Sequence, residues 1–287
     1  MTLPSITFVG IGAIGFPMAT LLVAAGHAVT GVDPFAAARE RAVDAGLTAA
    51  ASIGEATPGD TVIVMVATPD QLTTLVDQAL AETDVSGQTW IVMSTVGPSS
   101  VVSEGERLTA KGAVVVDAPV TGGVARAITG DLVIFASGSA DDLDRVSPVL
   151  SVLGTVRTVG SAIGEGQAIK VVNQHLCSVH IVAAAEALAL AESLGLDRAT
   201  VLDLVSGGAA GSWMLSDRGP RMLLGTDTPV TSTINIFVKD SGLVATAASE
   251  SGASVPLLDV ARARYEAAAS ADLGLRDDSR VIETYLA

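Results

Sequence analysis

The sequence has little cysteine and little histidine. Cys177 is its single cysteine, which excludes an internal disulfide and is typical of proteins in a reducing cytoplasm. The three histidines, His27, His175 and His180, form no H-E-x-x-H motif, and G-x-S-x-G and Walker motifs are also missing. We therefore predict no metal centre and no serine-hydrolase or P-loop chemistry.

Positive charge is scarce as well. The 287 residues include 16 Lys and Arg against 31 Asp and Glu, a net charge of −15. Nucleic acid and anionic membranes are therefore disfavoured as partners, and an acidic substrate would need a locally positive site. Gly10 and Gly12 interrupt the first apolar run, and no basic segment precedes it, so we expect a cytoplasmic protein without a secretion signal.

Aromatic residues make up only 3% of the chain, whereas hydrophobic residues make up 49% and include much alanine. This composition suits closely packed helices, and the length allows one large or two ordinary domains. The most apolar stretch, residues 176–196, contains His180, Glu186 and Glu192. We predict a buried helix there rather than a membrane span.

A glycine motif, "FVGIGAIGFPMA", lies between an apolar, β-branched run and a helical pattern with Pro17 in its first turn. Gly10, Gly12 and Gly15 fit G-x-G-x-x-G, which this context makes informative. Gly10 allows a tight turn, Gly12 lets a ligand approach the backbone, and Gly15 lets the helix lie close to the strand. The free N–H groups at the helix start predict a site for a dinucleotide pyrophosphate.

An acidic residue follows the second predicted strand. Asp33 comes 23 residues after Gly10, at the end of "AVTGVD". A carboxylate there accepts hydrogen bonds from ribose hydroxyls and repels a 2′-phosphate, which favours NAD over NADP. Arg39 and Arg41 lie close by in sequence and leave NADP use open. We expect both arginines to be exposed on the next helix.

The first half of the chain alternates β-like runs with helical patterns, whereas strand patterns fade after residue 160. This predicts a Rossmann-type, doubly wound, mainly parallel sheet at 1–162 and an all-helical domain at 163–287. The second domain has a long central helix near 166–194, whose nearly all-round apolar surface predicts a homodimer or homotetramer. The predicted strands are residues 5–9, 28–33, 61–66, 89–94, 113–117, 132–137 and 155–159.

The start of the long helix carries polar groups on one stripe. At about 100° per residue, Asn173 and Gln174 lie within about 60° of Lys170, followed by Cys177. A lysine at the mouth of an apolar stripe is partly desolvated, and desolvation lets an amine exchange a proton near neutral pH. The alternative is a structural lysine at a helix start with two polar neighbours.

Two other segments can carry chemistry. Thr121, Gly122 and Gly123 follow a strand with small side chains and free N–H groups, which can bind a carboxylate or form an ordinary turn. Lys239 lies beside Asp240 on a helical segment, where it serves a site or forms a surface ion pair of small value.

These segments together resemble the β-hydroxyacid dehydrogenases, the family that includes 3-hydroxyisobutyrate dehydrogenase and tartronate semialdehyde reductase. The resemblance is carried by "GIGAIGFPMATLLVAAGHAVTGVD", "DAPVTGG", "GEGQAIKVVNQ" and "FVKDSGL", in that order along the chain. This sequence departs from the family with Ile14 in place of methionine, with Val66 and Ala67 in place of "LP", and with Gln174 at the usual asparagine.

The resemblance implies an NAD(P)-dependent enzyme in which Lys170 is the general acid/base at the substrate hydroxyl. It implies substrate contacts at Thr121, Gly122, Gly123, Asn173 and Gln174. It implies cofactor contacts at Gly10, Gly12, Ala13, Ile14, Asp33, Val66, Ala67, Gln71, Thr95 and Lys239.

Later motifs, "KVVNQHL", "GSWML" and "DDSRVIE", are most similar to the L-threonate dehydrogenase branch, which implies oxidation of a sugar acid at C2 with NAD. Ser212, Trp213 and Asp278 then become candidates near a polyhydroxylated substrate. The alternatives are a 3-hydroxyisobutyrate dehydrogenase, a semialdehyde reductase using NADPH, an imine reductase and a non-catalytic NAD-binding protein. Lys170 argues against an imine reductase, since that group commonly has another residue there.

Overall fold

The structure, a computed structural model, describes residues 3–225 and 228–286. The chain divides between Lys170 and Val171 into two compact units, here called the sheet unit and the helical unit. The predicted Rossmann-type sheet followed by helices is confirmed.

The sheet unit is built on one sheet. Its strand order is β3-β2-β1-β4-β5-β6-β8-β7, with β9 paired to β8. The six strands from β3 to β6 in this order are parallel, whereas β8 runs antiparallel to β6 and β7. The strands are β1 (Ile6–Val9), β2 (Val29–Val32), β3 (Thr48–Ala50), β4 (Thr61–Val64), β5 (Thr89–Val92), β6 (Val114–Asp117), β7 (Val120–Thr121), β8 (Leu132–Ser137) and β9 (Gly154–Gly160).

Helices cover both faces of this sheet because its strands are apolar on both sides. Phe8 and Ile63 belong to the core on the α1 and α6 face, whereas Val9 and Val62 pack with α3 and α4. The helices are α1 (Gly15–Ala24), α2 (Ala36–Asp44), α3 (Pro69–Glu82), α4 (Pro98–Thr109), α5 (Gly123–Thr129) and α6 (Ala140–Leu153).

The topology determines where ligands can bind in the sheet unit. The order of parallel strands reverses between β1 and β4, and such a switch point opens a crevice at the carboxyl ends. Gly10 follows β1, Asp33 follows β2, Val66 follows β4, and Thr95 follows β5. The predicted cofactor residues of the sheet unit therefore share one edge of the sheet.

The long helix α7 (Glu165–Ser193) begins in the sheet unit and continues into the helical unit. Gly195 follows it with φ 76°, and Asp197 caps the next helix by accepting a hydrogen bond from the Thr200 N–H at 2.8 Å. The remaining elements are α8 (Arg198–Ser206), α9 (Trp213–Met222), α10 (Ile234–Ser251), α11 (Pro256–Ala268), a π turn at Ala269–Leu273 and a 3₁₀ segment at Asp278–Thr284.

An aromatic pair lies at the centre of the helical unit. Tyr265 is fully buried, stacks on Phe237 at 5.2 Å between ring centroids, and donates a hydrogen bond to the Ser178 carbonyl at 2.9 Å. This bond satisfies the tyrosine hydroxyl inside an apolar core, where an unpaired polar group would cost free energy. The small alanines of α7 and α11 allow these helices to pack around the pair.

One side of α7 stays uncovered by its own chain. Val172, Leu176 and Leu190 are 61%, 48% and 57% exposed. By length and composition, α7 is also the one helix of the described residues that could cross a membrane, a test that buried core helices pass too.

Candidate active site

The glycine loop after β1 has the geometry expected of a ligand-binding turn. Gly10 has φ +90°, and a Cβ there would collide with the Met65 carbonyl. A Cβ on Gly15 would collide with the Gly10 carbonyl oxygen and lie 3.0 Å from the Phe8 ring, so α1 can pack close to β1 only with glycine. A Cβ on Gly12, in contrast, would have no neighbour within 4 Å. The loop backbone is therefore open to a ligand at Gly12.

The start of α1 is suited to an anion. No side chain caps this end, and the first turn holds no acidic residue. The positive end of the helix dipole therefore points out of the turn that contains Ala13 and Ile14, as a pyrophosphate site requires.

Asp33 is buried directly after β2. Its Oδ1 accepts a hydrogen bond from the Phe35 N–H at 3.0 Å, which orients the carboxylate at the carboxyl edge of the sheet. Arg39 folds back and donates from Nη1 to the carbonyls of Asp33 and Pro34, both at 2.8 Å. Arg39 lies on α2, the next helix, as expected, but it is half-buried rather than exposed, because these two bonds hold its side chain against the loop.

Arg41 is exposed, as expected, but it also contacts the glycine loop. Its Nη2 donates to the Ile11 carbonyl at 2.7 Å, and its guanidinium lies 4.6 Å from the centroid of the Phe16 ring. A positive charge therefore lies beside the candidate cofactor loop.

The turn after β4 is held by two side chains. The Val66 N–H donates to Ser94 Oγ at 2.8 Å, and the Ala67 N–H donates to Gln71 Oε1 at 2.7 Å. Ser94 Oγ in turn donates to the Val64 carbonyl at 3.2 Å. The structure thus brings together three predicted cofactor residues, Val66, Ala67 and Gln71, in one turn.

A fully buried polar cluster, here called the Asp117 cluster, joins the ends of β5, β6 and β8 to the start of α7. Its members are Ser94, Asp117, Ser137 and Gln167, all 0% exposed. Asp117 Oδ2 accepts hydrogen bonds from the Gly164 N–H at 3.1 Å, the Gln167 N–H at 2.9 Å and Ser137 Oγ at 3.3 Å. Burial raises the pKa of Asp117, and these hydrogen bonds oppose the increase.

Gln167 connects this carboxylate to the turn after β5. Its Nε2 donates to Asp117 Oδ1 at 3.0 Å and to the Ser94 carbonyl at 2.9 Å. Its Oε1 accepts from the Val96 and Gly97 N–H groups at 3.0 and 3.1 Å. Sequence reasoning missed both Asp117 and Gln167 as site residues. The available signal was a polar residue at a strand end and another in a helix's first turn.

Lys170 lies three residues after Gln167 on α7 and is 6% exposed. Positions i and i+3 of a helix share one side, so Gln167, the member of the Asp117 cluster that belongs to α7, lies on the same side of the helix as Lys170. The structure therefore places the predicted acid/base in a buried position on a firmly anchored helix start.

The loop after β7 is open at Gly123, where a Cβ would have no neighbour within 4 Å, whereas a Cβ on Gly122 would lie 2.7 Å from the Arg126 side chain. Gly122 and Gly123 have φ 132° and 67°, values that favour glycine. Gly122 is the N-cap of α5, where no side chain caps the helix, and Thr121 is half-buried at the end of β7. The role of this loop in binding a substrate carboxylate stays a prediction.

In the helical unit, one network connects Asn173, Gln174 and Lys239. Gln174 Nε2 donates to Asp240 Oδ2, and Asn173 Nδ2 donates to Gln174 Oε1 at 2.9 Å. Lys239 Nζ forms an ion pair with Asp240 Oδ1 at 2.8 Å. Because the Asp240 carboxylate is buried, this pair differs from the exposed surface pair considered as the alternative for Lys239. Sequence reasoning did not identify Asp240 as the link.

The three residues considered for a polyhydroxylated substrate lie in different settings. Asp278 is 0% exposed and accepts two hydrogen bonds from Arg218, at 3.2 and 2.8 Å, which removes it from the candidate substrate contacts. Ser212 Oγ caps α9 by accepting from the Leu215 N–H at 3.0 Å. Trp213 is exposed.

Within the described part of the chain, no group of three or more His, Cys, Asp or Glu residues could hold a metal ion.

Comparisons with known proteins agree with this geometry. Residues 5–164 match the family model for the NAD-binding domain of 6-phosphogluconate dehydrogenase, and residues 164–285 match the model described as NAD-binding of NADP-dependent 3-hydroxyisobutyrate dehydrogenase. The L-threonate dehydrogenase of Cupriavidus necator is 36% identical over 98% of this chain and 96% of its own. The 3-sulfolactaldehyde reductase of Escherichia coli is 29% identical over 97% of this chain and 95% of its own.

A solved structure supports the same relationship. The 3-hydroxyisobutyrate dehydrogenase of Salmonella typhimurium superposes with a TM-score of 0.88 at 32% identity, covering 98% of this chain and 99% of that one. An open glycine loop, a buried lysine at the start of α7 and these full-length similarities lead to one conclusion. The chain belongs to the 3-hydroxyisobutyrate dehydrogenase-like family of β-hydroxyacid dehydrogenases, NAD(P)-dependent oxidoreductases that act on CH–OH groups.

Proposed function

We propose that this enzyme is an NAD-dependent dehydrogenase that oxidises the C2 hydroxyl of L-threonate, or of a similar four-carbon aldonate, to the 2-oxo acid. The observation that supports L-threonate as the substrate is the 36% identity to an L-threonate dehydrogenase over nearly the whole chain. The expected "KVVNQHL" and "DDSRVIE" resemblance points to the same branch.

In this proposal Lys170 is the general base for oxidation and the general acid for reduction. Its amine accepts the C2 hydroxyl proton while the hydrogen on C2 leaves as hydride. The nicotinamide of bound NAD⁺ supplies the hydride acceptor. Burial of Lys170 excludes water, and this strengthens its interaction with the developing alkoxide.

The substrate carboxylate is proposed to bind the free N–H groups of the loop formed by Thr121, Gly122 and Gly123. Of the two amides on α7, Gln174 uses its Nε2 for Asp240 and its Oε1 for Asn173. Asn173 Nδ2 donates to Gln174 Oε1 and to Cys177 Sγ. We therefore propose that Asn173 contacts the substrate through its Oδ1, with Gln174 holding the amide in place.

NAD is proposed as the preferred coenzyme. The Asp33 carboxylate is buried directly after β2. In this proposal it accepts hydrogen bonds from the ribose hydroxyls and would repel a 2′-phosphate. Arg39 directs its Nη1 to backbone carbonyls. NADP is the second candidate, supported by the NADP-dependent family described for residues 164–285.

A second candidate function is reduction of a small semialdehyde. The 29% identity to a 3-sulfolactaldehyde reductase favours it, since that enzyme's name describes the reverse direction of the same redox chemistry. Oxidation of 3-hydroxyisobutyrate is supported by the Salmonella typhimurium structure. The uncovered apolar side of α7 further supports the proposed homodimer or homotetramer, which the molar mass in solution would test.

The test is a panel of aldonates, β-hydroxy acids and semialdehydes with both coenzymes, using wild type and Lys170→Ala. We expect NAD-linked turnover of L-threonate and a kcat at least about 10²-fold lower in Lys170→Ala, the usual scale for a positioned acid/base. Lys111→Ala is the matched control, because Lys111 is exposed. Turnover of 3-hydroxyisobutyrate with no activity on aldonates would contradict the proposed substrate. A near-normal kcat in Lys170→Ala would contradict the proposed role of Lys170.

A further inference from the structure

We propose that Asp117 and Gln167 are positioning residues that fix the distance and orientation of Lys170 relative to the turn after β5. This inference rests on the proposed function of Lys170. It assigns a role to a buried polar cluster that contacts neither substrate nor cofactor in the proposed mechanism.

The first argument is that the cluster accepts only one orientation of the Gln167 amide. Asp117 and the Ser94 carbonyl are acceptors, so the group facing them must be the Nε2 donor. The Val96 and Gly97 N–H groups are donors, so the group facing them must be Oε1. A flipped amide would place donor against donor and acceptor against acceptor in a fully buried site, which is costly.

The second argument is that Asp117 caps α7 from a different element. Its Oδ2 accepts from the backbone N–H groups of Gly164 and Gln167, at the positive end of the helix. Ser137 extends the same contact by accepting from the Gly166 N–H at 3.0 Å. Strands β6 and β8 therefore determine both the axial position and the rotation of the first turn of α7.

The third argument is that one side chain connects the turn that contains a predicted cofactor contact to the helix that carries the acid/base. The turn that Gln167 holds contains Thr95, a predicted cofactor contact, and it ends at Gly97 with φ 84°. The same Gln167 precedes Lys170 by less than one helical turn. The distance between acid/base and cofactor therefore depends on Gln167, and a displacement of about 1 Å at a reacting group can lower the rate about 10²-fold.

The first experiment replaces the Gln167 amide with an apolar side chain of similar length. Gln167→Met is expected to lower kcat about 10²-fold and to change the NAD dissociation constant and the KM for the hydroxy acid far less. The matched control is Thr7→Val, which removes a buried hydrogen bond to the Gly59 N–H elsewhere in the sheet unit. The control should lose stability and keep its kcat.

The second experiment tests the direction of the hydrogen bonds. Gln167→Glu places a second carboxylate against Asp117, so its kcat should fall further than in Gln167→Met. Adding Asp117→Asn restores a donor between the two side chains, although the Ser94 carbonyl still faces an acceptor. The double variant should therefore recover part of the kcat that Gln167→Glu loses. If the two substitutions only damaged the structure independently, the double variant would instead have a lower kcat than either single variant.

The third experiment observes the lysine without using turnover. The chain has only three lysines, Lys111, Lys170 and Lys239, so uniform [13Cε]lysine labelling gives three assignable signals. With NAD bound, Gln167→Met should move the Lys170 signal and its pH titration, and Thr7→Val should not. An unchanged Lys170 signal would overturn the positioning role even if kcat had fallen.

The outcomes separate this inference from the proposed function. If Lys170→Ala loses activity and Gln167→Met keeps wild-type kcat, the positioning role is wrong and the mechanism stands. If Lys170→Ala keeps its kcat, the mechanism is wrong, and the lysine spectrum alone decides whether Gln167 positions Lys170. In the Lys170→Ala background, Gln167→Met should lower kcat by a smaller factor than it does in the wild type.

Discussion

Asp277 in the helical unit and Asp117 in the sheet unit are both 0% exposed, and their surroundings stabilise the two carboxylates in different ways. Asp278, beside Asp277, differs from it, because burial there outweighs Arg218 and raises the pKa. Asp277 in the helical unit receives Arg221 Nη1 at 3.0 Å as well as the Thr231 and Ser279 N–H groups. Asp117 in the sheet unit receives four hydrogen bonds, all from neutral groups. Burial therefore dominates at Asp117 and raises its pKa. At Asp277 burial opposes ionisation, but the hydrogen bonds and the Arg221 charge outweigh it and lower the pKa.

The difference separates two uses of a buried charge. In the helical unit, arginines of α9 pair with Asp277 and Asp278 and so hold the start of the final 3₁₀ segment in place. In the sheet unit, no such compensation accompanies the fully buried Asp117 at a strand's carboxyl end, although an apolar residue would avoid the cost of burial. Positioning the lysine helix gives a reason to keep it.

The largest expected effect comes from breaking an arginine pair. Asp278→Ala leaves the Arg218 guanidinium buried without this partner, and removal of one member of a buried pair costs about 3–5 kcal/mol. Urea unfolding measures the loss. Asp217→Ala is the matched control, because Asp217 pairs with the same arginine but its side chain is 39% exposed, and exposed pairs contribute about 0–1 kcal/mol. Equal losses in the two variants would contradict the contrast between buried and exposed pairs.

A smaller effect is expected at the carboxyl edge of the sheet. Asp33→Ala removes the proposed acceptor for the ribose hydroxyls. Hydrogen bonds to a charged group contribute about 1.5–3 kcal/mol, so the NAD dissociation constant should rise roughly 10- to 100-fold. NADP binding should weaken less or improve, because the repulsion is also removed. Isothermal titration measures both, with exposed Asp44→Ala as control, and an unchanged NAD affinity would exclude Asp33 from the site.

The smallest expected effect is a pair of opposite pH dependences. Asparagine does not titrate, so wild type minus Asp277→Asn isolates one carboxyl, and wild type minus Asp117→Asn isolates the other. The lowered pKa of Asp277 gives stability that is present above the ordinary value of 3.8 and is lost as pH falls through the lowered pKa. The raised pKa of Asp117 gives a contribution that is present below 3.8 and is lost as pH rises through the raised pKa.

Urea unfolding of wild type and both variants across the acid range measures these differences. The two curves should slope in opposite directions. Parallel slopes would show that the two carboxylates are not distinguished by their surroundings, and the comparison between the units would fail.

Much of the fold was predictable because its signals are local. The glycine loop, the seven predicted strands and the long helix each depend on residues that are close in sequence. Strands β3 and β7 were missed because they contain only three and two residues, too few to show a period. The exposure of Arg39 was mispredicted because its side chain is held by two backbone carbonyls, and only the folded loop brings these carbonyls within reach of the guanidinium.

The residue types of the candidate site could also be read from the chain, whereas their connections could not. The motifs identified Lys170, Asn173, Gln174 and Lys239, but the roles of these residues stay predictions. Asp240 joins Gln174 across 66 positions, and no spacing pattern indicates that pair.

Local chemistry, in the end, decided what each segment of this chain is: which residues turn, which form strands and which form the long helix, because backbone propensity and periodicity act over a few residues. Folding alone decided which polar groups meet. Asp117 and Gln167 are 50 positions apart, and only the parallel order of the strands places β5 and β6 side by side, next to the start of α7. A hydrogen bond depends on distance and direction in space, which the linear order of residues does not contain.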